Sequence, residues 1–163
     1  HPLCNPMSDT NNASGSLDPK IARLDFTRLG LKLRKEKSWS KDQVKKAERQ
    51  YRRWLTVKKQ HPNKDIVPNR LIDEFWHIHI LDTHSYAKDC QMAFGYFLHH
   101  YPYFGLNGKD DENMLMSAFD ETSNLYKQHF GISMDNDFEA SRCAGHSCHS
   151  PSDCACRSPG ACK

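Results

Sequence analysis

No apolar run in this chain approaches the ~20 residues that a membrane-spanning helix requires, so nothing in the sequence points to a bilayer span. The N-terminal stretch lacks the apolar core of a secretory signal, and the chain reads as soluble and cytoplasmic. No segment alternates polar and apolar residues with period two for long enough to demand a sheet. No internal repeat marks a solenoid, and no nucleic-acid-binding motif is present.

What remains is a helical pattern. A chain of 163 residues makes one core, and four segments carry apolar residues at helical spacing. Asp18-Pro19 opens the first, with Ile21, Leu24, Phe26, Leu29, Leu31 and Leu33 after it and Gly30 weakening its end. Ser40-Lys41-Asp42-Gln43 has the spacing of a capping box and starts a second, whose buried side is marked by Val44, Ala47, Tyr51, Trp54, Leu55 and the Lys58 stem. His61-Pro62-Asn63 stops it. A third stretch begins near Asn69, and Asp110 or Asp111 is expected to cap a fourth that ends at Gly131.

The expected fold is all-α, a compact bundle of four or five helices followed by an irregular Cys-rich C-terminal tail. Its divisions are a disordered N-terminal extension over 1–16, a helical domain over 17–131 and a Cys/His-rich tail over 132–163. Met7 with the polar residues after it resembles a native start. An authentic terminal His1 would offer an amine and a ring to copper.

Charge is divided along the chain. Residues 20–59 hold fifteen Lys/Arg against four Asp/Glu, whereas residues 110–139 hold eight acids and one Lys. A basic helix of this kind can bind nucleic acid, but without a matching motif the favoured account is a solvated face steered toward the acidic helix of the same domain. Nucleic acid is therefore not an expected partner, and a small molecule, a protein or a peptide remains open.

Five of the seven cysteines lie between Cys143 and Cys162. With His146 and His149 interleaved among Cys143, Cys148, Cys154, Cys156 and Cys162, the tail offers thiolate and imidazole ligands to Zn(II) or Cu(I), though without paired C-x2-C knuckles. Disulfide bonding and a disordered reduced tail are the alternatives.

The densest chemistry lies in 73–100. His77 and His79 are two apart and point to opposite sides of a helix, so one ion cannot take both unless the helix is broken there. His79 falls on the apolar stripe with Asp82 and Tyr86, and a buried imidazole needs a polar partner. His77 shares a polar face with Asp73, Glu74 and His84. Glu74-x-x-His77 has the form used in di-iron carboxylate bundles, but no second copy exists to complete such a site.

A mononuclear site of two imidazoles and one carboxylate demands least of the sequence. His79 and Asp82 can supply two ligands and His99 or His100 the third; His77 and Asp73 form the competing set on the opposite face. Iron or zinc is the expected metal, copper is allowed, and Tyr86 is a candidate proton donor. The bland alternative is a buried His79–Asp82 hydrogen bond without any ion. A non-enzymatic metal-binding or protein-interaction module is the alternative to an enzyme.

Trp76-His77-Ile78-His79-Ile80-Leu81, with Asp73 before it and Tyr86 and Asp89-Cys90 after it, resembles the W-H-x-H-x-L…Y…D-C signature of the glycine-rich-domain-containing-protein-like family. The likeness covers about residues 20–130. It implies that His77, His79, Tyr86 and Asp89 belong to one motif, without implying which are ligands. Eight glycines cannot make the glycine-rich region of the longer members, so no role of that region is implied.

Overall fold

The computed structural model describes residues 15–134. The candidate tail ligands Cys143, His146, Cys148, His149, Cys154, Cys156 and Cys162, and also His1, lie outside the described residues. Six helices and no strand are found among those described: α1 (Pro19–Ala22), α2 (Thr27–Lys37), α3 (Lys41–Gln60), α4 (Arg70–Leu81), α5 (Thr83–Phe94) and α6 (Lys109–Phe130). No helix among them is long and apolar enough to cross a membrane.

Local signals start and stop several of these helices. The Asp18 carboxylate accepts from the backbone N–H groups of Lys20 and Ile21, Ser40 and Gln43 form the reciprocal capping box, and the Asn69 side chain accepts from Ile72. Gly131, at φ 75°, closes α6 in the left-handed conformation that glycine adopts without strain.

Two segments expected to be single helices are each broken in two. Between α1 and α2, Leu24 and Phe26 are both buried. Residues two apart on one helix face nearly opposite ways, so the chain leaves the helix to bury both. Arg52 compensates the carbonyls freed by the break, donating to Ile21 O (2.7 Å), Ala22 O (3.3 Å) and Leu24 O (2.8 Å). Its guanidinium also lies 4.4 Å from the Phe26 ring centroid. The second break, at Asp82, separates α4 from α5 and is taken up with the site below.

Other expectations are corrected. Gly30 is a buried residue inside α2 rather than its weak end. A Cβ added there would lie 3.0 Å from Val44 Cγ1, so the missing side chain lets α2 and α3 approach closely. Neither Asp110 nor Asp111 caps α6; Gly108 holds that position. Asp111 instead fastens the preceding loop by accepting from Gly105 N (2.7 Å) and Asn107 N (3.2 Å). The domain also reaches past Gly131, because Met134 is fully buried and its carbonyl accepts from Asn69 Nδ2 at 3.2 Å.

The steering of basic residues toward the acidic helix is not realised as ion pairs. Among the described residues no ion pair joins 20–59 to α6, and Lys64 to Glu121 (2.8 Å) is the link α6 does make. The core is instead aromatic. Phe26, Tyr51 and Phe75 meet with ring centroids 5.1–5.5 Å apart, and Trp54 packs on Trp76 at 4.7 Å.

Because Gly30 sets the α2–α3 spacing, Gly30→Leu should destabilise the fold by about 1–3 kcal/mol through overpacking. Val44→Ala in the same chain should recover part of that loss. Urea denaturation of the two single variants and the double variant checks this; a neutral Gly30→Leu would show that the helices are free to separate.

Candidate functional site

Helix α4 presents two different chemistries because its histidines are two residues apart. His79 faces inward and is buried. Its Nε2 lies 2.8 Å from Asp89 Oδ2 and its Nδ1 2.8 Å from the Tyr51 hydroxyl. A carboxylate only accepts, so the ring donates from Nε2 to Asp89, and its Nδ1 pairs with the Tyr51 hydroxyl. Burial, reinforced by the neighbouring Tyr86, Cys90 and Asp89, pushes the Tyr51 phenol well above its ordinary range, and it stays an O–H donor.

Asp89 is ten residues beyond His79, and in a straight helix that separation is about 15 Å along the axis. The pair forms only because the chain turns at Asp82, where ψ of 72° interrupts the helical run. The same interval recurs one turn earlier, where Trp76 Nε1 donates to the Tyr86 hydroxyl at 2.9 Å. Tyr86 in turn donates to Leu98 O at 2.5 Å, drawing the segment after α5 back over α4. Leu98 N is tied down as well, donating to Cys90 Sγ at 3.4 Å.

Two residues beyond this clasp, His100 stacks on Trp76 with ring centroids 4.3 Å apart and planes 28° from parallel. It thereby meets the outer face of α4, where Asp73 and His77 are one turn apart. His100 Nε2 lies 3.0 Å from Asp73 Oδ1, His77 Nε2 lies 3.3 Å from Asp73 Oδ2, and the two Nε2 atoms are 3.0 Å apart. These three residues form a His/His/Asp cluster that can hold a metal ion.

The cluster's electrostatics follow from its geometry. Burial alone would raise the Asp73 carboxyl, but the hydrogen bonds from His100 and His77 outweigh it and hold Asp73 below the usual carboxylate range. The hydrogen bond to Asp73 raises His77 above the usual imidazole range against partial burial, with Asp73 and Glu74 adding attraction. Protons cannot satisfy all three contacts at once. If both Nε2 atoms donate to the ionised Asp73, two N–H groups oppose each other at 3.0 Å; if one is bare, it can accept from the other ring but meets the Asp73 carboxylate as acceptor against acceptor.

The remaining candidates are placed elsewhere. Asp82 does not pair with His79; it ends α4 and lies 3.8 Å from Arg28. His99 is exposed, with its ring 4.8 Å from Phe97, and His84 is exposed on α5. Tyr86 is 2 % exposed with its hydroxyl engaged on both sides, and burial raises its pKa well above the ordinary phenol range. Glu74 is taken up by Lys37 (3.1 Å) and Arg70 (3.8 Å). Asp89 is the participant that sequence reasoning missed as a partner of His79. Its place in the quoted motif was visible, but its contact depends on the turn at Asp82.

The match that classifies the chain runs from the end of α1 into α6, over residues 22–123. The chain belongs to the UCP032817-like family. This corrects the resemblance to glycine-rich-domain-containing-protein-like proteins over about residues 20–130, whose specific part was the stretch around Trp76 and Cys90; the UCP032817-like match takes in both the clasp and the cluster. No curated protein and no solved structure matches the chain. Within the UCP032817-like domain, then, geometry alone argues for chemistry.

The inner and outer histidines should separate experimentally. His79→Ala leaves the Tyr51 hydroxyl and Asp89 without their shared partner and should cost about 2–4 kcal/mol in urea unfolding, whereas His84→Ala should stay within about 0.5 kcal/mol. Equal, small effects would mean that the buried bridge does not hold α3, α4 and α5 together.

Proposed function

We propose that the protein is a metal-binding helical protein whose single transition-metal ion, iron or zinc, is held by His77, His100 and Asp73. The observation that carries this reading is the convergence of three donor atoms at 3.0–3.3 Å. Two donors on an ion with bonds of about 2.0–2.2 Å lie about 2.8–3.6 Å apart at tetrahedral or octahedral angles, so one shared cation removes the conflict that protons leave. Two imidazoles and a carboxylate form the set that suits Fe(II) with positions left open, and zinc accepts the same donors.

Three protein ligands at a half-exposed site differ from a closed four-ligand structural centre. The ion would therefore have positions available for water or a substrate oxygen, which it would polarise as a Lewis acid. Trp76 supplies a rigid aromatic backing for His100, and the Tyr86–Leu98 clasp fixes the segment that carries it. These supports favour a mononuclear metalloenzyme. A specific observation favours the second reading, a metal-dependent interaction module: Tyr96, Phe97, Tyr101, Tyr103 and Leu106 are all exposed in the segment around His100.

Zinc counted by elemental analysis after gel filtration should fall by one equivalent per chain in His77→Ala, His100→Ala and Asp73→Asn, and remain at the wild-type level in His99→Ala. Removing a ligand takes away a coordinate bond, so residual binding should weaken by at least about 10–100-fold. Because the ion must displace the proton that Asp73 holds on His77, affinity should fall as pH drops through the raised His77 range. Unchanged stoichiometry in all three cluster variants would refute the assignment.

A further inference from the structure

On the side of α3 that packs near the end of α6, an open groove of about 520 Å³ runs between α3, Phe130 and residues 15–17. Its α3 wall carries Lys45, Glu48, Arg49, Arg52 and Arg53. Glu48 is spent on Arg52, at 2.6 Å, and Arg52 is further committed to the carbonyls of the α1–α2 break. Lys45, Arg49 and Arg53 have no acidic partner among the described residues. Arg53 is oriented by Phe130, whose ring centroid lies 5.7 Å from its guanidinium carbon.

These three cations follow one another at intervals of four residues along one stripe of α3. Like charges at that spacing repel and destabilise a helix, and among the described residues no ion pair offsets them. They span about 12 Å along the axis, the reach of a small ligand with more than one anionic group. The groove's volume also falls in the range of small-molecule sites, about 300–1,000 Å³. Guanidinium groups match phosphate oxygens in charge and geometry, and a lysine ammonium adds a point charge beside them.

We propose that this groove binds a small phosphorylated anion, a diphosphate or larger, through Lys45, Arg49 and Arg53. The site is separate from the Asp73–His77–His100 cluster and does not depend on its reading. The phosphate groups can come from an inorganic polyphosphate or from a nucleotide, and the chemistry at the three cations is shared between them.

The test uses the full chain at physiological salt, with pyrophosphate and ADP as probes in isothermal titration and thermal melts. Wild-type protein should bind pyrophosphate saturably and melt at a higher temperature with it. Lys45→Gln with Arg49→Gln should weaken binding by at least about tenfold, the loss expected from removing charge-assisted contacts. Unliganded, that variant should melt no lower than wild type, because a repulsion has been removed. A control carrying Arg34→Gln and Lys35→Gln on α2 should bind as wild type does. Tighter binding of ADP identifies an organic source and equal binding an inorganic one, both supporting the site.

Absence of saturable binding overturns the proposal, as does equal weakening in the α2 control, which would show diffuse attraction to positive charge. Loss of pyrophosphate binding in His100→Ala would place the anion on the metal cluster instead. A short single-stranded oligonucleotide that binds where pyrophosphate and ADP do not would make this face a nucleic-acid surface and likewise refute a small-ligand site.

Discussion

Burying the imidazole of His79 obliges the fold to supply a partner at each ring nitrogen, and most of the architecture answers to that requirement. One partner, Tyr51, comes from α3 and the other, Asp89, from α5, so a single side chain on α4 registers three helices. The Asp89 contact forces the chain to reverse at Asp82, and that reversal returns the segment after α5 to the far side of α4. His100 reaches Asp73 and His77 because the chain has already been folded back to satisfy His79. The interior hydrogen bond and the exterior cluster are two consequences of one corner.

Trp76 connects the two. Its indole N–H is used inside, on Tyr86, and its ring is used at the surface, under His100. Its burial, 4 % exposed, limits the freedom of the ring on which the third cluster residue rests. The cluster's two α4 members need no such support, since a helical turn places Asp73 beside His77.

This division explains what could be read from the residues alone. Asp18, Ser40, Asn69 and Gly131 were legible as helix limits because each acts within its own turn. The opposite facing of His77 and His79 was legible for the same reason, as was the Asp73–His77 pairing. The corner at Asp82 was not, for Ile80-Leu81-Asp82-Thr83-His84 contains neither proline nor glycine, and the break is imposed by contacts ten residues apart. Without the corner, Asp82 was the natural partner for His79, and His99 could not be separated from His100. The break between α1 and α2 escaped for a similar reason: it depends on Arg52, 28 to 31 residues away, to donate to the carbonyls it frees.

Cys90 sits under the same segment. Its buried thiol accepts the Leu98 N–H, and burial raises it above the ordinary thiol range, so the nucleophilic thiolate is scarce while the segment lies closed. The Leu98 backbone that lies on the sulfur is two residues from His100, so one segment both covers the thiol and carries the third residue of the cluster. A label placed on Cys90 would therefore lie directly beneath the segment that carries His100.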